Sequence, residues 1–249
     1  MAGSRGGEES RQSITARALQ VIREAPAHSG IPAVTLSWAQ SSDGAIAAAG
    51  GVRTPLSCPE SLALTHQLRA MHAAILVGIG TVLADDPLLS VRLAPGPQPQ
   101  PVVLDSRLRF PLGARLLART DSKPWIFHAG STDGDSRGLD GRMRALEALG
   151  ARLFPVGHSG DGLDLGAVLA ELAVLGVHSL MVEGGAHVLR SFLSRGLASQ
   201  AVITVCPFTL EGLHVLEQAA GPERLPGLVG DIRENHGRDT VVWGKVRTS

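Results

Sequence analysis

The sequence predicts an α/β fold built on a largely parallel, mixed sheet with helices on both faces. Three observations predict it. Short apolar runs alternate with segments of helical spacing, the order that gives βαβ units and a parallel sheet. Several runs, Ala73 to Val77 above all, are continuously apolar, as strands buried on both faces are. Two of the runs end in glycine-bearing segments, where open α/β sheets hold their ligands. A chain of 249 residues with 44% hydrophobic residues suffices for one large domain with a sizeable core.

Taken in order, residues 1–30 read as an N-terminal extension, partly helical. Arg11 to Glu24 carries Ile14, Ala18, Leu19 and Ile22 at helical spacing, and Pro26 and Gly30 break the chain after it. Residues 31–249 form the main domain. Its first strand is Ala33 to Trp38, followed by a turn at Asp43-Gly44. Ser57 is placed to cap the next helix, with Glu60 three residues on completing a capping box, and that helix runs from Pro59 to Met71 or His72. After Ala73 to Val77, strands are expected at Pro101 to Leu104, Trp125 to His128, Arg152 to Val156, Ser179 to Val182, Ala201 to Val205 and Thr240 to Trp243. Helices are expected at Gly141 to Leu149, Leu165 to Leu175 and Ala186 to Ser194. Pro95 to Pro101 and Ser131 to Asp140 read as polar surface connections.

Composition narrows the chemistry. A formal net charge of zero gives no electrostatic case for nucleic acid or an anionic membrane surface. No apolar run approaches the roughly 18 residues of a membrane helix. Cys58 and Cys206 make neither a disulfide framework nor a zinc cluster, and a reducing compartment is the simpler reading. The N-terminus lacks a signal-peptide core, and Glu8, Glu9 and Glu24 count against a transit peptide, so a cytoplasmic protein is expected. There is no tyrosine, and the only lysines are Lys123 and Lys245. A Tyr–Lys proton-donor pair is therefore excluded, and catalysis must rest on acidic residues, His, Arg, hydroxyls, water or a cofactor.

Three constellations can carry chemistry. Val77-Gly78-Ile79-Gly80-Thr81 follows a buried strand, and its glycines let backbone N–H groups approach a phosphate. It lacks the third glycine of the dinucleotide fingerprint, so a plain strand-to-loop turn fits it equally. Asp85-Asp86-Pro87 can hold a ribose hydroxyl or simply make an Asx turn; with no further carboxylate or histidine nearby, a metal is rejected. Val182-Glu183-Gly184-Gly185-Ala186 joins a strand end to a helix start, which sets N–H groups and a positive dipole end where an anion binds. Its alternative is a glycine-eased turn with a solvated Glu. His66 and His72 lie six apart on one helix, not on one face, and read as surface or packing residues. Arg69, Arg92 and Arg107 are equally open to surface salt bridging or to the site.

The motifs occur in a recognisable order: Thr35-Leu36-Ser37-Trp38-Ala39-Gln40-Ser41-Ser42-Asp43-Gly44, Pro55-Leu56-Ser57-Cys58-Pro59-Glu60-Ser61, Leu64 to Arg69, Ile75 to Pro87, Val103-Leu104-Asp105-Ser106-Arg107, and Val182 to Gly185. Over roughly residues 31–245 the chain resembles the pyrimidine reductases of riboflavin biosynthesis, the RibD C-terminal domain family, which look like dihydrofolate reductase in fold. The resemblance implies NADPH-dependent reduction of the ribosyl side chain of a phosphoribosylamino-pyrimidine to ribityl. It carries cofactor binding onto Thr81, Asp85, Ser106 and Gly184-Gly185-Ala186-His187-Val188, and substrate binding onto Arg53, Arg69, Leu89, Arg92 and Glu183. Glu183 and Asp43 are the carboxylates it offers for proton handling. It also implies a homodimer formed by extending the sheet.

Two features refine the resemblance. Ser37 stands where bacterial members carry a lysine, and the Leu-x-Trp-Ala-Gln-Ser and Pro-Leu-Ser-x-Pro-Glu-Ser segments are similar to the stand-alone fungal-type enzymes, which act on the 2,5-diamino-pyrimidinone. No His/Cys zinc set precedes residue 31, so the match is to the reductase half. The alternatives are the 5-amino-6-(5-phosphoribosylamino)uracil reductase, an enzyme of the same fold with another substrate such as dihydrofolate, and a non-catalytic nucleotide-binding relative.

Overall fold

Each central strand divides its side chains between two cores. In β3 (Ala74–Gly78), Ala74 and Leu76 face one apolar cluster while Ile75 and Val77 face another. In β9 (Ser179–Glu183), Leu180 and Val182 face the first cluster and Met181 points the opposite way. Period-two alternation with both faces apolar is the reason these runs carry no polar residue in their interiors. The computed structural model describes residues 13–24, 30–48, 54–130, 136–160, 162–216 and 223–247.

The other strands of the main sheet are β1 (Ala33–Ser41), β4 (Gln100–Leu104), β5 (Trp125–Ala129), β6 (Arg152–Val156), β10 (Gln200–Cys206), β12 (Leu228–His236) and β13 (Asp239–Val246). Their order is β12-β13-β10-β1-β9-β3-β4-β5-β6, nine strands in all. The seven from β10 to β6 pair in parallel, and β13 and β12 add an antiparallel end. Two small ribbons accompany it, β2 (Ala45–Ala48) with β11 (Gly212–His214), and β7 (His158–Ser159) with β8 (Gly162–Leu163).

Helices cover both faces, as expected. Under one face lie α6 (Leu165–Val174) and α7 (Ala186–Ser194), whose Leu169, Leu172, Leu189 and Phe192 are fully buried. The other face carries α1 (Ile14–Glu24), α2 (Pro59–Met71), α3 (Ile79–Asp85), α4 (Arg115–Ala118) and α5 (Ser136–Ala148). Helix α1 shares its core with the sheet: Ile14, Ala18 and Val21 pack with Leu64, Leu68, Met181 and Trp243. A directional chain of hydrogen bonds pins this face. The Trp243 indole donates to Gln200 (2.7 Å), Gln200 donates to the Thr35 hydroxyl (2.8 Å), and His72 bridges Thr35 (2.8 Å) and the Leu68 carbonyl (2.7 Å).

Several expectations are corrected here. Strand β1 runs on to Ser41, three residues past Trp38, because Gln40 and Ser41 keep their parallel partners in β10. Ser57 does not cap α2. Cys58 is the capping residue, its side chain makes no cap bond, and the Asp239 carboxylate of β13 accepts the Cys58 N–H (2.7 Å) and the Ser61 hydroxyl (2.5 Å) instead. Asp85-Asp86-Pro87 is not an isolated Asx turn: α3 fills Ile79–Asp85, and Asp86 ends it in the left-handed conformation (φ 40°) with its N–H on the Val82 carbonyl (3.0 Å). Strand β12 escaped notice because its sequence, Leu-Val-Gly-Asp-Ile-Arg-Glu-Asn-His, is mostly polar. An edge strand buries little and is guarded by charge.

Candidate functional site

The site begins where β3 and β9 end side by side, with Leu76 in register with Val182. Each strand passes through glycine into a helix: Gly78 caps α3 and Gly185 caps α7. The four glycines of these segments do two different things. A methyl group on Gly78 would lie 2.7 Å from Cγ2 of Val188, too close for any side chain there, while one on Gly184 would lie 3.4 Å from its Cβ, in ordinary contact, so the two segments meet on the same side chain. Methyl groups on Gly80 and Gly185 would meet nothing within 4 Å. Both lie at helix starts with open space on the side a Cβ would occupy, and both line the cleft.

That space belongs to a cleft of about 1240 Å³ at the carboxyl ends of the sheet. The cofactor positions inferred from the sequence all line it: Thr81, Asp85, Ser106, and the run Gly184, Gly185, Ala186, His187 and Val188. So do the substrate positions Arg69, Leu89, Arg92 and Glu183. Arg53 lies outside the described residues. Asp43 is not among the lining residues. Its carboxylate accepts the Ser41 hydroxyl (2.5 Å) and the N–H groups of Leu210 (3.0 Å) and Glu211 (3.1 Å). Burial works to raise its pKa, but these bonds outweigh it and hold the carboxyl below the ordinary value. Asp43 thus ties the β1–β2 turn to the segment after β10.

Ser106 is presented by a side-chain turn. The buried Asp105 accepts the Phe110 N–H on Oδ2 (2.8 Å), and its carbonyl accepts the Leu108 N–H (3.1 Å). The chain reverses there, with Leu108 at φ 49°, and Ser106 and Arg107 are turned to the cleft. Arg107 is exposed and makes no ion pair among the described residues.

On the opposite wall Arg69 and Glu183 form a two-point pair: Nε to Oε1 at 2.7 Å and Nη2 to Oε2 at 2.6 Å. Arg69 also donates to the Ser90 carbonyl (3.1 Å). Burial disfavours its charge, yet the Glu183 carboxylate more than compensates and holds its pKa above the ordinary value. Glu183 in turn stands in register with Ser37 of β1, which also lines the cleft.

The segment after α3 carries Leu89 and Arg92 and is held at several points. Leu89 is buried with φ 50°, a conformation that costs a leucine of order 1 kcal/mol or more. Arg119, buried, donates to the carbonyls of Leu88 (3.2 Å) and Leu89 (3.3 Å) and pairs with Asp121. Gln98 exchanges two bonds with the Val91 backbone (2.7 and 2.8 Å). The Arg92 N–H donates to Nδ1 of His66 (2.9 Å).

Sequence reasoning set His66 aside, but the structure buries it in the cleft wall. The signal was its i, i+3 spacing to Arg69 rather than its spacing to His72. Burial first, then the nearby Arg69 and Arg92 charges, push its pKa down to about 4 against the opposing pull of Glu183, so it is neutral at pH 7. Arg109, Arg115 and Arg195 also reach the cleft and were not singled out; each lies in a stretch with no motif to mark it. Among the described residues no group of three or more His, Cys, Asp or Glu side chains could hold a metal, and no helix is long and apolar enough to cross a membrane.

Fold and cleft together define an α/β protein with a large cleft at the carboxyl ends of a largely parallel sheet. The RibD C-terminal domain family matches residues 32–221. The riboflavin biosynthesis protein RibD of Aquifex aeolicus is 34% identical over 186 residues, covering 74% of this chain and 49% of that protein. The protein named 2,5-diamino-6-ribosylamino-4(3H)-pyrimidinone 5′-phosphate reductase in Methanothermobacter thermautotrophicus is 36% identical over 185 residues, 73% of this chain and 80% of that one. Among solved structures, RibD of Acinetobacter baumannii shares the fold, with a TM-score of 0.73 at 23% identity over 90% of this chain and 60% of that one. The chain spans about half the length of the RibD proteins it matches. It belongs to the RibD C-terminal domain family.

Proposed function

We propose that the chain is a reductase that uses NADPH to convert the ribosyl side chain of 2,5-diamino-6-ribosylamino-4(3H)-pyrimidinone 5′-phosphate to ribityl. The observation that carries this reading is the single cleft that joins the Thr81, Ser106 and Gly184–Val188 wall to the Arg69–Glu183 and Arg92 wall. The match to 80% of a stand-alone reductase supports the substrate class. Ser37, in place of a lysine beside Glu183, supports the diamino substrate over the deaminated one.

The donors fit a nicotinamide dinucleotide. The N-terminus of α7, open beside Gly185, suits a diphosphate; Thr81 and Ser106 suit ribose hydroxyls or phosphate, and Asp85 suits a ribose hydroxyl. Bound there, the reduced nicotinamide supplies a hydride, delivered to C1 of the ring-opened sugar. The chain's own part is positioning. Glu183, held by Arg69, is the carboxylate closest to proton handling, and it orients the sugar hydroxyls. Asp43 contributes by holding the turn at the end of β1. Arg107 and Arg109 beside Ser106 support NADPH over NADH, since a 2′-phosphate needs a cation there. A homodimer joined along a sheet edge and action in the cytoplasm, in keeping with two buried free cysteines, complete the reading. Size-exclusion chromatography with light scattering tests the dimer. Oxidation of NADPH and of NADH with each pyrimidine tests the activity.

A further inference from the structure

Family resemblance makes Arg69 a substrate ligand, yet its guanidinium is committed to Glu183 and to the Ser90 carbonyl. Three of its five N–H donors are used, so an anion on this side of the cleft gains from further cations. Two are at hand. Arg92 donates to the Ser90 hydroxyl (2.7 Å) and has no carboxylate partner among the described residues. Arg115, the first residue of α4, is exposed, lines the same cleft, and its side chain has no partner there either.

Arg115 is placed by the chain around it. Its backbone N–H donates to Oδ1 of Asp86 (2.9 Å), the residue that ends α3 and starts the segment leading to Arg92. Four residues on, Arg119 holds the carbonyls of Leu88 and Leu89 in that same segment. Helix α4 and the 86–92 segment are thus laced together, and each presents one arginine. Arg92 senses the neighbour: burial, then Arg69, then Arg115 lower its pKa. Glu183 is taken up by Arg69, and Asp86 meets Arg115 through its backbone N–H, so the guanidinium groups of Arg92 and Arg115 are the ones left to meet an anion in the cleft.

We propose that Arg115 is a phosphate-binding residue that acts with Arg92, and that their ligand is a phosphate monoester. It rests on the proposed reading of the cleft. The phosphorylated pyrimidine and the 2′-phosphate of the cofactor share this chemistry; the substrate phosphate is the assigned source, because Arg92 lies on the Arg69–Glu183 side.

The test compares the full chain with Arg115→Gln and Arg115→Lys. Steady-state KM is measured for the phosphorylated pyrimidine, its dephosphorylated counterpart, NADPH and NADH. Arg115→Gln is expected to raise KM for the phosphorylated pyrimidine about 10- to 100-fold, to leave the other three within about twofold, and to be largely rescued by Arg115→Lys. An unchanged KM, or an equal rise for the dephosphorylated compound, overturns the assignment. A rise confined to NADPH against NADH moves Arg115 to the cofactor and overturns the substrate placement. Inorganic phosphate separates this from the reductase reading. It is expected to raise Tm of the unaltered chain more than that of Arg115→Gln, whether or not any pyrimidine is turned over. Equal stabilisation of both, or none of either, contradicts the proposal.

Discussion

Arg69 and Glu183, 114 residues apart in sequence, meet in a two-point ion pair at 2.7 and 2.6 Å on the wall of the cleft. Their side chains are only 12% and 18% exposed. The pair closes helix α2 onto the end of β9 and so builds one wall of the cleft. Glu183→Gln keeps the shape but loses the charge and one acceptor. It is expected to lower kcat/KM at least 100-fold and to cost about 1–3 kcal/mol of stability, since Arg69 is left with a weaker partner. Kinetics and denaturant unfolding of the same preparation check both; near-normal kcat/KM would remove Glu183 from the reaction.

The glycines of the two strand ends separate by substitution. Gly78→Ala sets a methyl 2.7 Å from Val188 and is expected to cost about 1–3 kcal/mol, recovered in part by Val188→Ala. A Cβ at Gly80 meets nothing within 4 Å and the residue lies inside α3, so Gly80→Leu is expected to hold or raise Tm while the KM for NADPH climbs. Unfolding midpoints and cofactor KM read the two effects apart. If Gly80→Leu left the cofactor KM untouched, the space before Gly80 would not be cofactor space.

Capping of α2 rests on a distant residue. Asp239→Ala leaves the Cys58 N–H without its acceptor and the Ser61 hydroxyl with only the Cys58 carbonyl (3.2 Å), and is expected to cost about 1–3 kcal/mol. Ser57→Ala should fall within about 0.5 kcal/mol of the unaltered chain. Denaturant unfolding of the two variants decides between the tertiary cap and the local capping box, which predicts the reverse order.

Acid should weaken the fold through His72. Burial pushes its pKa down to about 4, only partly countered by the Leu68 carbonyl and the Glu183 charge. A folded pKa below the unfolded value of 6.5 means that stability is complete above pH 6.5 and falls as pH drops toward 4, because only the unfolded chain takes up the proton. The loss is on the order of 2–3 kcal/mol. Unfolding free energy measured from pH 7.5 to 4.5 should show it, and His72→Gln should reduce the slope, with the similarly depressed His66 carrying a second share. An identical slope in that variant would place the acid sensitivity elsewhere.

How much of the fold the sequence disclosed depends on how local each signal is. Strands β3, β4 and β9 and helices α6 and α7 were legible because continuous burial writes an apolar run and helical burial writes a 3.6-residue period. The glycine segments were legible as turns, but nothing local showed that Gly78 and Gly184 both meet Val188, or that Gly80 and Gly185 face open space. Those roles come from two segments about a hundred residues apart meeting at one place. The Asp239 cap, the His66 contact with Arg92 and the approach of Arg115 are tertiary in the same sense. Strand β12 was hidden because an edge strand carries charge where an interior strand carries valine.

The most direct test of the central reading is NADPH oxidation, followed by the loss of its absorbance, with the 2,5-diamino and the deaminated phosphoribosylamino-pyrimidines side by side. The cleft and its Ser37–Glu183 neighbours predict turnover that depends on added pyrimidine, with the higher kcat/KM for the diamino compound. No pyrimidine-dependent oxidation with either compound, from protein that binds NADPH, would contradict the proposed activity; preference for the deaminated compound would contradict the substrate assigned from Ser37.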